Sequence, residues 1–275
     1  MKRKIGLKGT AILQLVLQAL VVVTLIAEAF NRNFYNVFLC VLTLILFNIP
    51  SFVDLKLKIK LPSALEAVIL LFIFSAEILG EIRSFYTVFP YWDTILHTIN
   101  GFIMAAIGFV MIDILNQNPK FHINMSPFFL AFVAFCFSMT VGVLWEFFEF
   151  SMDYFFGFDM QKDTFVSAIN SVALNPTGLN KEVRISGITS TIINSANGVY
   201  TIDKGYLDIG IIDTMKDLVV NCIGAVVFST IGFIYIKQRG KGRVAKSFIP
   251  QLKTHEEIEQ TENIMNLKKN RRKVK

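Results

Sequence analysis

In FPYWDTILHTINGF, Asp93 and His97 stand four residues apart at the entrance to a long apolar run. At that spacing they share one helical face. A carboxylate behind an imidazole is the pattern of an oriented general base, or of a metal ligand with its supporting partner. LWEFFEF then carries Glu146 and Glu149 one turn apart, and DTMKDLVVNCIGA sets Asp213, Asp217 and Asn221 in a stripe at i, i+4 and i+8. Glu77, Glu81 and Arg83 close a further apolar stretch. The candidate catalytic set is therefore Asp93, His97, Glu146, Glu149, Asp213 and Asp217, with Asn221, Glu77, Glu81 and Arg83 as candidate ligand-binding groups.

An imidazole among carboxylates suits a divalent cation, and His97, Glu146, Glu149 and Asp217 are the candidate metal ligands. Oxygen donors favour Mg²⁺, Mn²⁺ or Ca²⁺, while the imidazole admits Zn²⁺. Such an ion would polarise a phosphoryl group or activate water. Without one, His97 backed by Asp93 remains a general base, and acid-rich sites in membranes also carry protons or sodium. No glycine-rich phosphate loop, serine elbow or zinc-protease helix narrows the choice.

Each group also has a plainer reading. Asp93 and Asp213 begin predicted helices, where an aspartate caps free N–H groups and suits the dipole. That does not serve Glu146 and Glu149, at a C-terminal helix end where the dipole disfavours an anion by about 0.3–1 kcal/mol. His97 alone reads as a satisfied core histidine; beside several carboxylates at matching depth it reads as part of a site.

The elements that must carry these residues are membrane helices. Hydrophobic residues make up 53% of the 275, mean hydropathy is +0.54, and a bilayer core takes about 20 apolar residues per helix. Six stretches qualify: Thr10–Ala29, Phe34–Phe52, Pro62–Gly80, Asp93–Leu115, Ser126–Phe150 and Asp213–Ile236. The expected fold is an all-α membrane protein of six transmembrane helices with both termini cytoplasmic and a small β-rich extracytoplasmic loop. Residues 1–240 form the membrane domain, 157–212 the insertion and 241–275 a basic tail.

Positive charge sets the orientation. Lys2, Arg3, Lys4, Lys8, Lys56, Lys58, Lys60, Lys120 and the tail from Lys237 fall on one side, and Arg32, Arg83, Lys162 and Lys204 on the other. The first apolar run has the flank of a signal peptide and an AEA at Ala27–Ala29, but its length and its Gln14 and Gln18 favour a retained anchor. Cys40, Cys136 and Cys222 match no metal spacing and read as packing residues. Asn197-Gly198 signals a hairpin in the insertion. The tail, ending LKKNRRKVK, reads as a topology signal and solvated end, with attraction to anionic headgroups as the alternative. It lacks the aromatic interleaving of a nucleic-acid binder, so no nucleic-acid partner is expected. His122 and His255 fall in a loop and in the tail, away from the cluster.

Small residues sit beside the polar ones: Gly101 one turn past His97, Gly142 one turn before Glu146, and Gly224-Ala225 after Asn221. They let helices approach closely, as a shared inward-facing site requires.

WDTILHTINGF, LWEFFEF and DTMKDLVVNCIGA together resemble the YjdF-type family of uncharacterised bacterial membrane proteins over roughly Glu77 to Ile236. The resemblance marks Asp93, His97, Gly101, Glu146, Glu149, Asp213, Asp217, Asn221 and Gly224. More distantly the order is similar to the VanZ-like family, with Glu149 where a Gln is usual and a long insertion at 157–212. Some VanZ-like proteins are linked to glycopeptide resistance and the cell envelope. The resemblance implies architecture and these positions, and no established reaction.

The expected function is that of a multi-pass plasma-membrane protein whose outward-facing acidic/His site binds, and is able to modify, a lipid-linked or envelope-derived ligand, with a divalent metal as the candidate cofactor and membrane lipid as partner. One alternative is a cation- or proton-coupled transporter, whose polar path would use Gln14, Gln18, Asn48, Glu66 and Asp113. The other is a non-catalytic membrane factor whose polar cluster holds the helices together.

Overall fold

The structure, a computed structural model, describes residues 9–117, 125–238, 242–254 and 256–259. The N-terminal basic flank, Lys120, His122, His255 and the tail from Gln260 lie outside the described residues.

Six helical stretches are long and apolar enough to cross a membrane. They are α1 (Gly9–Phe30); α2 (Phe34–Leu46) with α3 (Ile49–Lys56); α4 (Ser63–Phe74) continued by a π-helical segment (Ser75–Ile82); α6 (Trp92–Gln117); α7 (Pro127–Phe156); and α8 (Ile211–Lys237). A short strand β1 (Ile59–Lys60) precedes α4, and a single turn α5 (Phe85–Val88) precedes α6. The expected six-helix architecture is thus the one found. The largest difference in extent is α7, which runs on to Phe156 through Ser151 and Asp153. Backbone hydrogen bonding carries a helix past the apolar slab wherever no Pro or Gly stops it.

Local chemistry explains the breaks. Arg32 takes φ +57 after α1, and the Asn33 carboxamide then caps α2 by accepting the N–H of Asn36 at 3.3 Å. Pro50 interrupts the second span, because proline has no N–H to continue the ladder. The Phe47 carbonyl at that break accepts the carboxamide N–H of Gln14 at 2.9 Å, so a polar residue of α1 serves a helix kink next to it. Asn48 spends its amide on the carbonyls of Leu44 and Ile45. In the third span the wider π turns lead to Ser84 at φ +58 and an aromatic group of Phe85, Phe89 and Trp92, whose indole N–H donates to the Ser75 carbonyl at 3.3 Å.

Two compact units divide the chain, with α7 and α8 contributing to both: one takes in Met1–Gly142 and Val220–Lys275, the other Val143–Val219. The first unit holds the apolar core, including Val21, Phe47, Leu65, Leu70, Phe109 and Phe228. Within it α6 and α8 run alongside one another in the same direction. A Cβ on Gly224 would lie 2.0 Å from the Thr98 carbonyl oxygen, and one on Gly232 would lie 2.8 Å from the Phe109 ring. Between these, the rings of Phe102 and Phe228 meet edge to face at 5.1 Å. Only glycine permits backbones so close.

In this unit the chain also does something the sequence reading did not anticipate. After α8 it forms α9 (Arg243–Lys246) and a strand β8 (Gln251–Leu252), which pairs antiparallel with β1. Ala245 and Ile249 are buried in the core. The early part of the tail is therefore folded, because it offers apolar side chains among its basic ones.

The second unit contains three two-stranded antiparallel ladders: β2 (Phe165–Val166) with β7 (Tyr206–Leu207), β3 (Ala168–Ser171) with β4 (Val183–Ser186), and β5 (Thr191–Ser195) with β6 (Gly198–Ile202). The expected hairpin is present one residue earlier than the Asn197-Gly198 signal implied. Ala196 and Asn197 form the turn, while Gly198 pairs with Ser195 at φ +128, a conformation glycine alone adopts without strain.

The contact between α6 and α8 yields a direct test. Gly224→Ala forces a methyl group against backbone and is expected to cost about 1–3 kcal/mol, read as a lower thermal unfolding midpoint in detergent. An unchanged midpoint would mean that the two helices do not touch there.

Candidate functional site

The first turns of α6 place Asp93 and His97 on one face, with His97 Nε2 3.5 Å from Asp93 Oδ1. His97 is buried while Asp93 is partly exposed, so the ring is oriented from the more open side. One turn further, Asn100 donates its amide N–H to Asn221 Oδ1 at 3.2 Å. Asn221 itself is fully buried, and its own amide reaches the Ser138 carbonyl at 3.4 Å. The Ser138 hydroxyl donates to the Gly101 carbonyl at 2.8 Å. A Cβ on Gly142 would lie 2.7 Å from the Asn221 amide nitrogen, and one on Gly101 would lie 2.1 Å from the Asn221 carbonyl oxygen. Three helices are thus joined through one amide, below an Asp–His pair.

The burial of Asn221 explains this arrangement. A carboxamide moved from water to apolar surroundings costs several kcal/mol when nothing bonds to it, about 4–8 on a hydrocarbon scale. Here donor and acceptor ends are both served. Sequence reading singled out Asn221, Gly101 and Gly142 but missed Asn100 and Ser138. Asn100 sits at i+3 from His97 and Ser138 at i−4 from Gly142, spacings that could have marked both.

The remaining candidates of the first unit are Glu77, Glu81 and Arg83. Glu77 and Glu81 lie in the π-helical segment within electrostatic reach of Tyr35 on α2. Arg83 ends that segment, its N–H donating to the Ile78 carbonyl, and its side chain is exposed.

In the second unit Glu146 and Glu149 are both buried on α7. The Trp145 indole N–H donates to Glu149 Oε1 at 2.9 Å, so this tryptophan serves a carboxylate. Asp217 on α8 is also buried. Asp213 accepts the N–H of Lys162 at 2.8 Å, bonding the insertion. The cap of α8 is Asp208, which accepts from Ile212 at 2.8 Å and from Gly210 at 3.3 Å. Asp208 also accepts from Thr164 at 2.7 Å, and Asp153 accepts from Met160 at 2.6 Å and Gln161 at 2.8 Å. Three aspartates thereby strap residues 160–164 to the helix ends of this unit. Asp153 and Asp208 were not foreseen, because backbone partners leave no side-chain motif.

Burial opposes the ionisation of Asp208, yet the N–H groups of Thr164, Ile212 and Gly210 outweigh it and hold its carboxyl below the usual range. Asp163 is pushed the other way, by burial first and then by Asp159, Asp208 and Asp153, with Lys162 offsetting part.

A helical membrane protein with a buried polar layer at one end of its α6 is the class these features define. The family described as "Predicted membrane protein (DUF2238)" matches residues 13–238, and the chain belongs to it. This is the YjdF-type family the motifs resembled; the VanZ-like relation is not carried by the match. No curated protein and no solved structure matches the chain.

Asp208 gives a pH dependence of definite sign. Its folded pKa is depressed, so its contribution is complete above the unfolded value of about 3.9 and is lost as pH falls through the lower folded value. Asp163, shifted upward, favours the folded chain when protonated and offsets part of that loss. Amide protection at Thr164 and Ile212, corrected for intrinsic exchange, is expected to fall below about pH 4. Asp208→Asn is expected to weaken that protection already at neutral pH and to flatten its pH dependence. Equal protection profiles in the two proteins would remove the strap.

Proposed function

We propose that Asp93, His97 and Asp217 hold a divalent cation at an outward-facing site that binds the polar head of a lipid-linked or cell-envelope ligand. The observation that carries this reading is the buried His97 ring with the Asp93 carboxylate 3.5 Å away, one turn from the Asn221 layer. Asp217 lies one turn before Asn221 on a continuous helix, and α6 and α8 run in the same direction through their glycine contacts. Asp217 enters this reading as the buried carboxylate that precedes Asn221 on that helix.

One imidazole and two carboxylates form a three-ligand set with room for water or substrate, the pattern that suits Zn²⁺ or Mn²⁺. When bound, such an ion polarises a phosphoryl or carbonyl oxygen. Glu146 and Glu149 belong to the same proposal as groups able to accept a proton or hydrogen-bond the ligand. A site at the start of a membrane helix meets an amphiphile at its headgroup, where phosphates lie. The sidedness follows from the lysine and arginine asymmetry of the loops, with both termini cytoplasmic in the plasma membrane.

The transporter reading draws less support. Of the polar residues proposed for its path, Gln14 and Asn48 donate to carbonyls at the C-terminal end of α2 and the break that follows it. Beyond the Asn221 layer, α6 and α8 meet through Phe102, Phe109 and Phe228.

The test is metal analysis of the purified protein with titration of Zn²⁺, Mn²⁺ and Mg²⁺ followed by thermal unfolding. One equivalent is expected, with stabilisation of about 2.7 kcal/mol at one hundred times Kd. His97→Ala and Asp217→Asn are expected to abolish that stabilisation while the metal-free unfolding midpoint stays near that of the parent. Absence of any metal-dependent shift in the parent protein would leave only a structural polar network.

A further inference from the structure

Helix α1 packs on the first unit along one stripe and leaves much of its surface uncovered. Its buried residues are Thr10, Leu17, Val21 and Thr24. Gln14 and Glu28 belong to the same stripe, and both have partners. Gln14 donates to the Phe47 carbonyl at 2.9 Å, and Glu28 accepts from the Asn36 amide at 3.0 Å. From Thr10 to Glu28 these six positions alternate steps of four and three residues, the spacing of a helix–helix seam.

A second seam of the same spacing lies one residue on from each, about 100° further round the helix. It consists of Ala11, Leu15, Gln18, Val22, Leu25 and Ala29. Leu15 is 67% exposed and Val22 41%, so this face is largely open. Gln18 stands about 13.5 Å from the start of α1 at 1.5 Å per residue, near the middle of a hydrocarbon core about 30 Å thick. Its side chain is half-buried and bonds to none of the described residues. No water at that depth replaces a partner, and a carboxamide left unpaired in apolar surroundings is costly. One turn earlier the bundle supplies Gln14 with a carbonyl; at Gln18 no described residue does so.

We infer that this second seam is the docking face for α1 of a second copy of the protein, with the two Gln18 carboxamides hydrogen-bonded to each other. Chemistry and topology together select that occupant. A carboxamide carries both donor and acceptor, so it is complementary to itself. Copies of one chain enter a bilayer in the same orientation, so their α1 helices run parallel. A two-fold axis along the membrane normal then sets Gln18 opposite Gln18 at equal depth. A lipid tail offers no such bond. One amide in an apolar seam fixes register and partner number in parallel helix pairs. In lipid it also contributes to association, because apolar contact alone gives little drive there. The inference uses α1 and no metal, so it and the metal reading fail separately.

The experiment uses the full chain in liposomes, with Cys40, Cys136 and Cys222 replaced by alanine. Val22→Cys, on the seam one turn from Gln18, is compared with Leu20→Cys. Leu20 is no less exposed, at 48%, and two residues away it faces the opposite side of the helix. Under mild oxidant Val22→Cys is expected to form an intermolecular disulfide at least tenfold faster than Leu20→Cys, and Gln18→Leu to remove that advantage. Equal rates at the two positions, or an advantage that survives Gln18→Leu, overturn the seam. A second measurement needs no cysteine on α1: subunit counting by single-molecule photobleaching at high lipid excess. The parent is expected to count as pairs and Gln18→Leu as single chains, with an unchanged thermal unfolding midpoint. A parent that counts as single chains, or a Gln18→Leu variant that still counts as pairs, also overturns it.

Discussion

One carboxamide governs the middle of this protein. Asn221 is buried among three apolar helices, where an unpaired amide would be costly, and so α6 and α7 must bring partners to it at fixed height and rotation. Gly101, Gly142 and Gly224 make this possible by admitting the amide and the opposing backbones at distances no side chain would allow. Hydrophobic burial gives little direction inside a bilayer, since lipid is as apolar as leucine. Hydrogen bonding and close backbone approach therefore set the register of these helices, and that register places the Asp93–His97 pair.

The second unit solves a different problem. Its ladders are two strands wide, too small to be stable alone in water. Asp153, Asp208 and Asp213 compensate by accepting backbone N–H groups from Met160, Gln161, Lys162 and Thr164, tying the loop to helix ends. Carboxylates that look like site candidates in one dimension are here also mechanical fixings. Asp213 illustrates this: its spacing with Asp217 reads as chemistry, and it also accepts a bond from the Lys162 backbone.

The early tail shows how composition misleads. Its lysines and arginines read as a solvated end, yet Ala245, Phe248 and Ile249 give it an apolar side that the bundle takes in. A hydropathy window averages these residues with their charged neighbours and sees neither. The π-helical turn at Ser75–Ile82 was equally invisible, because its widened turns answer to neighbours such as Tyr86, whose ring lies 2.4 Å from where a Gly80 Cβ would stand.

By itself the sequence determined the six membrane helices, the Asp93–His97 face and the hairpin near Gly198. Each depends on residues close along the chain: apolar runs matched to bilayer thickness, a spacing of four, a glycine able to take positive φ. Tertiary structure alone decided that Asn100 and Ser138 meet Asn221 and Gly101, and that Asp208 rather than Asp213 caps α8. It alone decided that Phe248 turns back into the core. Asn100 and Asn221 are 121 residues apart, and whether they touch depends on helix rotation and crossing, which no local pattern encodes.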